Sequence, residues 1–210
     1  MNASIRSISE LLADVRQTIP VQATTLTVSE IVGLFHERGF GFLLFLFALP
    51  AALPLPGLGI NFVVALPLLF LTMQQAVGRH SVWFPRRIDE REISRDRFVS
   101  FIEAARPLLK RLEVLISPRL GWVTQGLFSN LIGLCGLLMA LSILVPLPLT
   151  NTVPAMGIAL MALGVLMRDG LAVIAGMLVG LLWIAMLVLV VVTLGVEGVD
   201  AVKAFIRERI

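Results

Sequence analysis

The chain has no tyrosine, one cysteine and two histidines, and Asp, Glu, Lys and Arg together make up only 15% of its 210 residues. Each scarcity removes a class of function. Cys135 cannot form a disulfide within the chain, and with His36 and His80 it cannot assemble a metal-thiolate cluster or a nucleophile-base pair. Almost every carboxylate lies in the terminal segments or in one hydrophilic stretch, so the acidic ligands that a sugar-nucleotide transferase would need are missing. The chain is therefore expected not to be an enzyme and to hold no metal and no cofactor. The formal net charge of +3 comes with no groove-reading motif, which argues against a nucleic-acid partner. The polar start up to Arg38 lacks a basic end followed by a short apolar core, so no cleaved secretory signal is expected.

What is abundant is apolar. Hydrophobic residues make up 58% of the chain, and a mean hydropathy of +0.95 is too high for a water-soluble domain. The lipid bilayer is the expected partner, and the chain reads as an all-α, multi-pass integral membrane protein in a single membrane domain over residues 1–210. Two stretches within it echo each other. The first runs Leu49-Pro50-Ala51-Ala52-Leu53-Pro54-Leu55-Pro56-Gly57-Leu58-Gly59-Ile60-Asn61, then an apolar run to Val77 and Gly78-Arg79. The second runs Leu144-Val145-Pro146-Leu147-Pro148-Leu149-Thr150-Asn151, then an apolar run to Met167 and Arg168-Asp169-Gly170. With the Pro-x-Pro pairs aligned and two residues deleted from the second copy, Asn61 falls on Asn151 and Arg79 on Asp169. Two related halves follow, at 27–79 and 120–170, each a Pro-broken helical hairpin, and an inverted repeat is expected.

The arms are short. Gly39 to Leu53 would reach roughly 22 Å and Ile60 to Val77 roughly 27 Å at the α-helical rise, so re-entrant hairpins and tilted spans both remain open. Pro54 and Pro56 remove donors and leave carbonyls unpaired, which at membrane depth requires cover by protein or contact with water. Before the first arm, Thr27 and Glu30 have the spacing of a capping box and open an interfacial helix. Leu120 to Val145 is long enough to span. Leu171 to Leu194, without charge, is the clearest transmembrane helix. Gly176 and Gly180 within it form a GxxxG that serves packing inside the chain or a homodimer, the former preferred.

Between the halves lies a connector, residues 80–119. The stretch Gly78 to Arg119 holds ten of the seventeen Lys and Arg residues and six acids, so by the positive-inside rule it is placed in the cytoplasm. Trp83 and Phe84 ahead of Arg86 and Arg87 look like an interfacial anchor. From Ser94 to Ile116 apolar residues recur at helical spacing, with a break expected at Pro107.

An ordered set of motifs resembles the ExoD family of bacterial inner-membrane proteins over roughly residues 27 to 194. It comprises Phe47-Ala48-Leu49-Pro50 leading into Pro54-Leu55-Pro56-Gly57, Gln75 with Gly78-Arg79, Trp83-Phe84-Pro85-Arg86, Leu147-Pro148 with Asn151, Pro154-Ala155 and Asp169-Gly170. Phe84 stands where that family tends to show Leu. The resemblance implies an inner-membrane location and a link to exopolysaccharide synthesis, and carries over no catalytic residue. Two functions fit. One is a small permease whose path is lined by Pro54, Pro56, Asn61, Gln75, Thr150 and Asn151. The other is a non-transporting scaffold or regulator of exopolysaccharide assembly proteins that docks through the basic connector. Arg79, Arg168 and Asp169 are charges that must lie at an interface or be paired. Two arrangements satisfy this: Arg79 set against Asp169 across the repeat, or Arg79 snorkelling with Arg168 paired to Asp169 as a local loop cap, the latter favoured.

Overall fold

The computed structural model of the chain describes residues 8–20, 24–35, 38–53, 60–79, 81–113, 117–144 and 151–207. Both Pro-rich tips, with Pro54, Pro56 and Thr150, lie outside them, and the side chain of Asn61 is likewise not described. The described residues form an α-helical protein with one short ribbon. Helix α1 (Ile8–Thr18) turns Val15 inward against α6 (Arg95–Glu113), which offers Phe98 and Ile102. The Arg16–Glu103 ion pair on their outer edge (3.3 Å) is more than half exposed on both sides and adds little. Strands β1 (Thr25–Thr27) and β2 (Glu92–Ser94) pair antiparallel with Leu26 opposite Ile93, tying the N-terminal segment to the connector. These three-residue strands have no periodicity that a sequence pattern could detect.

Helix α2 (Val28–Leu34) opens as expected. The Glu30 N–H donates to Thr27 Oγ1 (3.2 Å) and the Thr27 N–H donates to Glu30 Oε2 (2.7 Å), so two orphan donors are satisfied together. The chain then turns through 111° into α3 (Gly39–Ala52), where Phe35 stacks on Phe42 with ring centroids 3.8 Å apart. Helix α4 (Ile60–Ala76) follows, then the short turn α5 (Arg86–Asp89), β2 and α6. Helix α6 runs through Pro107 without the expected break. The apolar run from Leu120 is not one helix: it begins as a 3-10 turn (Gly121–Thr124), reverses at Gly126 (φ 59°) and starts α7 (Leu127–Leu144) only after it. Helix α8 (Thr152–Met167) and α9 (Gly170–Arg207, bent at Gly195) complete the chain.

Five of these helices make a bundle: α4 packs on α7, α3 on α8 and α9 on α8. Helix α8 is its centre, with twelve of sixteen residues buried. The outside is apolar. Val63, Leu66, Phe70, Met73 and Val77 form a stripe on α4, and Leu127, Leu131, Leu134, Leu138 and Leu141 form another on α7. Helical spacing puts each set on one face, and continuous apolar faces of this extent belong in lipid. Helix α7 and the Gly170–Thr193 part of α9 are long and apolar enough to cross a membrane, and the bent α2–α3 pair makes a third candidate.

Lipid gives helices no hydrophobic reason to associate, so close backbone approach must hold them together. Gly41 supplies it on one seam: a Cβ there would meet the Ala162 carbonyl and the Leu166 N–H, both at 2.9 Å. Gly133 supplies it on the other, where a Cβ would strike the backbone of Gln75 and Ala76. The alignment that pairs Asn61 with Asn151 also pairs Gly41 with Gly133 and Ala76 with Leu166, so the two contacts occupy equivalent places. Moving along α7 from Gly133 to Gly136 moves the contact back along α4 from Ala76 to Thr72. Helices α4 and α7 are therefore antiparallel. The start of α3 (Arg38, Phe40) and the end of α4 (Gln75, Arg79) line one opening and the two helices pack together, so α4 runs antiparallel to α3, and α3 and α7 point the same way. The two hairpins have one orientation, and the expected inversion is corrected to a parallel arrangement.

The returning arms also end alike. At the end of α4 Gly78 (φ 80°) donates to Gln75 O (3.0 Å) and Arg79 N–H to Gln74 O (3.1 Å); at the end of α8 Arg168 (φ 56°) donates to Val165 O (3.4 Å) and Asp169 N–H to Gly164 O (2.8 Å). Both are Schellman caps, which close the free carbonyls of a helix end. Glycine takes the left-handed position at no steric cost, and arginine does not.

Two predictions follow from the seams and caps, both read as thermal unfolding of the purified protein in detergent. Gly41→Ala and Gly133→Ala each lower stability by about 1–3 kcal/mol through overpacking, whereas Gly33→Ala on α2, with nothing within 4 Å of its Cβ, does not. Arg168→Gly raises stability by about 1 kcal/mol by relieving the left-handed residue.

Candidate functional site

Because both hairpins open the same way, four helix ends converge. The start of α3 brings Arg38 and Phe40, the end of α4 brings Gln75 and Arg79, the turn before α7 and its first residues bring Thr124, Gln125, Gly126 and Ser129, and the end of α8 brings Val165 and Arg168. They enclose a half-open cavity of about 290 Å³. Its depth is polar: Gln75 (1% exposed) donates from Nε2 to Ser129 Oγ at 3.4 Å, and buried Thr124 donates its hydroxyl to the Gly121 carbonyl at 2.7 Å. Its rim is cationic, with exposed Arg79 and Arg168 and half-buried Arg38. Among the described lining residues there is no carboxylate.

The segments around the cavity are fastened by polar contacts that look functional in sequence and are structural. Gln74 accepts from the Trp83 N–H (2.8 Å) and donates to the Trp83 carbonyl (3.1 Å), fixing the start of the connector onto α4. Trp83 in turn lies under the Arg79 guanidinium, 5.7 Å from its ring centroid, a contact worth about 0.5–1 kcal/mol at an exposed site. Asp169 is 3% exposed and is the N-cap of α9. Its Oδ1 accepts from the Leu171 and Ala172 N–H groups (3.0 and 3.2 Å), and Oδ2 accepts from the Ser117 N–H (3.0 Å). The carboxylate is thus committed to backbone donors. Asp169 is thereby the cap of the helix that follows it, through backbone N–H groups, in place of the expected pairing with Arg79 across the repeat.

Of the two described residues expected to line a path, Gln75 reaches this cavity and Asn151 does not. Asn151 is buried at the start of α8, separated from the cavity by the length of that helix, roughly 24 Å at the α-helical rise. It marks the opposite end of the bundle. Arg38, Thr124, Gln125 and Ser129 were not expected at the site; each reads in sequence as a boundary residue, and only packing gathers them. Gly176 and Gly180 face inward, against Gly157 and Met161 of α8 and Met139 of α7. Among the described residues no three His, Cys, Asp or Glu side chains gather as metal ligands would.

A model of the family described as "Exopolysaccharide synthesis, ExoD" matches residues 8–189. The chain belongs to the ExoD family. It is 30% identical over 177 residues to Protein ExoD of Rhizobium meliloti, covering 82% of this chain and 72% of that one. It is 30% identical over 187 residues to an uncharacterized protein of a Synechocystis species, covering 87% and 88% of the two chains. No solved structure matches. The family is linked to exopolysaccharide synthesis, and the described part of this chain has two helices, or three with the bent pair, long and apolar enough to cross a membrane.

The ExoD corner at Asp169 gives a direct contrast. Asp169→Asn keeps the Oδ1 cap of α9 but sets an amide N–H against the Ser117 N–H, and lowers stability by about 1–3 kcal/mol, the cost of a buried donor left unsatisfied. Arg79→Gln changes stability by less than about 1 kcal/mol, the ceiling of an exposed cation–π contact. Equal losses in the two variants, measured by thermal unfolding, would restore the cross-repeat pair.

Proposed function

We propose that the protein is a small, non-catalytic inner-membrane permease serving exopolysaccharide production, with its solute path on the seam between the two hairpins and the cavity as its cytoplasmic vestibule. The observation that carries this reading is the cavity itself: a polar pocket centred on four helix ends inside an otherwise apolar bundle. Parallel repeats about an axis along the membrane normal are one of the architectures that put a solute site between two halves.

Charge supports the orientation. Fourteen of the seventeen Lys and Arg residues lie before α3, between α4 and α7 or between α8 and α9, all segments that meet the cavity end; the tip segments 53–59 and 145–151 carry none. On the positive-inside rule the cavity faces the cytoplasm. Trp83 and Trp122, both more than half exposed and near the same end, belong to the interfacial aromatic belt. Asn151, at the far end of α8, marks the outer end of the path on this reading.

The test is exopolysaccharide output from a strain lacking the protein and carrying variants at matched membrane abundance. Gln75→Leu and Ser129→Leu, which remove the polar depth of the cavity, reduce output about tenfold or more. Arg86→Glu and Arg87→Glu on the connector surface leave it at the wild-type level. The reverse pattern would favour a scaffold that docks through the connector.

A further inference from the structure

We infer that the outer face of α4, where the connector returns onto it, seats one anionic phospholipid, with an acyl chain along the α4 stripe and the phosphodiester among the guanidiniums of Arg79, Arg86 and Arg87. The inference goes beyond the permease reading, because the seat lies on the lipid side of the bundle and takes no part in the solute path. Two segments build its apolar part. Phe70 stands in the middle of the stripe that Val63, Leu66, Met73 and Val77 continue, and its ring centroid is 6.2 Å from that of Trp83 and 6.2 Å from that of Phe84. Val63 to Val77 covers roughly 21 Å at the α-helical rise, more than the depth of one leaflet, about half of a ~30 Å hydrocarbon core. The connector thus closes the headgroup end of a strip long enough for a chain.

Hydrogen bonds inside the protein fix the polar part. Both backbone groups of Trp83 are taken by the buried Gln74 amide, so the indole is held in place while 51% of the residue stays exposed. The Arg79 guanidinium lies over that ring, which uses its face and leaves its N–H edges for an oxyanion. Arg86 and Arg87 are exposed and follow Trp83 within roughly 10–14 Å of chain. Asp89 and Glu90 come next, and among the described residues neither forms an ion pair with these three arginines. From residue 79 to residue 90 the arginines outnumber the acids by one, which is the charge of one phosphodiester. Phosphatidylcholine would bring its own cation to that excess, and phosphatidylglycerol does not. Aromatic and basic residues at headgroup depth are enough for an interfacial anchor. Here ring contacts join them to the lipid-facing stripe, and that continuity is what retains a single lipid.

Native mass spectrometry of the full-length protein, released from nanodiscs of equal phosphatidylglycerol and phosphatidylcholine, reads the retained lipid. One phosphatidylglycerol is expected to stay bound with at least a tenfold preference over phosphatidylcholine. The Arg79→Gln/Arg86→Gln/Arg87→Gln variant is expected to lose that preference, the corresponding triple Lys variant to keep part of it, and Arg119→Gln, at an exposed arginine outside the seat, to leave it unchanged. Should the triple Gln variant unfold at a lower temperature without lipid, Arg86→Gln/Arg87→Gln, which keeps the Arg79 contact with Trp83, carries the test with an expected loss of about threefold or more.

Thermal unfolding in a nonionic detergent separates a lipid from a free phosphate. Phosphatidylglycerol is expected to raise the unfolding temperature saturably, as a ligand of the folded state must, whereas inorganic phosphate and deacylated glycerophosphoglycerol do not, because neither occupies the stripe. Equal retention of the two lipids overturns the inference, as does a preference that survives in the Gln variants or falls as far in Arg119→Gln. A shift with glycerophosphoglycerol as large as that with the intact lipid overturns it too, since the α4 stripe would then have no share in the site.

Discussion

Everything in this bundle depends on how closely its backbones approach at two glycines. In lipid an apolar side chain gains nothing by leaving a neighbouring acyl chain for a neighbouring helix, so association rests on van der Waals packing. Gly41 lets α3 lie on the backbone of α8, and Gly133 lets α7 lie on the backbone of α4. With those two seams fixed, the rest of the arrangement is constrained. Within the two hairpins and across the two seams neighbouring helices run antiparallel, both hairpins open in one direction, α8 is trapped in the middle, and α9 covers α8 where Gly157 and Gly176 meet and touches α7 at Met139.

The cavity is a consequence of the same geometry. Helices that touch closely along their length diverge at their open ends, because the chain must leave there for the connector, for the 3-10 turn and for α9. The space they leave cannot be filled with apolar side chains alone, since it adjoins charged segments and helix termini. Hydrogen-bonded groups close what can be closed: the Schellman caps on α4 and α8, the Asp169 cap on α9, and the Gln74 clamp on Trp83. Arg38, Arg79 and Arg168 lie at the opening and give the described rim its basic character.

Much of this was legible in sequence and some of it was not, for identifiable reasons. Apolar composition placed the chain in a membrane, the Thr27 and Glu30 spacing located a real cap, and the helix from Ser94 was visible from its periodicity despite Pro107. The correspondence of Arg79 with Asp169 was also visible, but its meaning was not. Equivalent positions need not touch, and Asp169 serves the helix that follows it. The orientation of the hairpins was misread because short arms and Pro-rich tips say nothing about direction; that information lies in glycines whose contacts are on the other half of the chain. The apolar run from Leu120 hid a reversal at Gly126, since hydrophobicity does not report φ. The cavity residues from the connector's end, Thr124, Gln125 and Ser129, carry no motif and become a site only when four helix ends are brought together.

The parallel orientation of the hairpins is the central claim, and single cysteines on a Cys135→Ala background test it most directly. Cysteines at Val77 and Leu171 report the open ends of the two hairpins, and cysteines at Leu53 and Thr152 report the tips. In intact cells a membrane-impermeant thiol reagent is expected to label Leu53→Cys and Thr152→Cys and to leave Val77→Cys and Leu171→Cys unmodified until the cells are opened. Labelling of one hairpin at its tip and of the other at its open end from the same side of the membrane would contradict the parallel arrangement and, with it, the shared cavity.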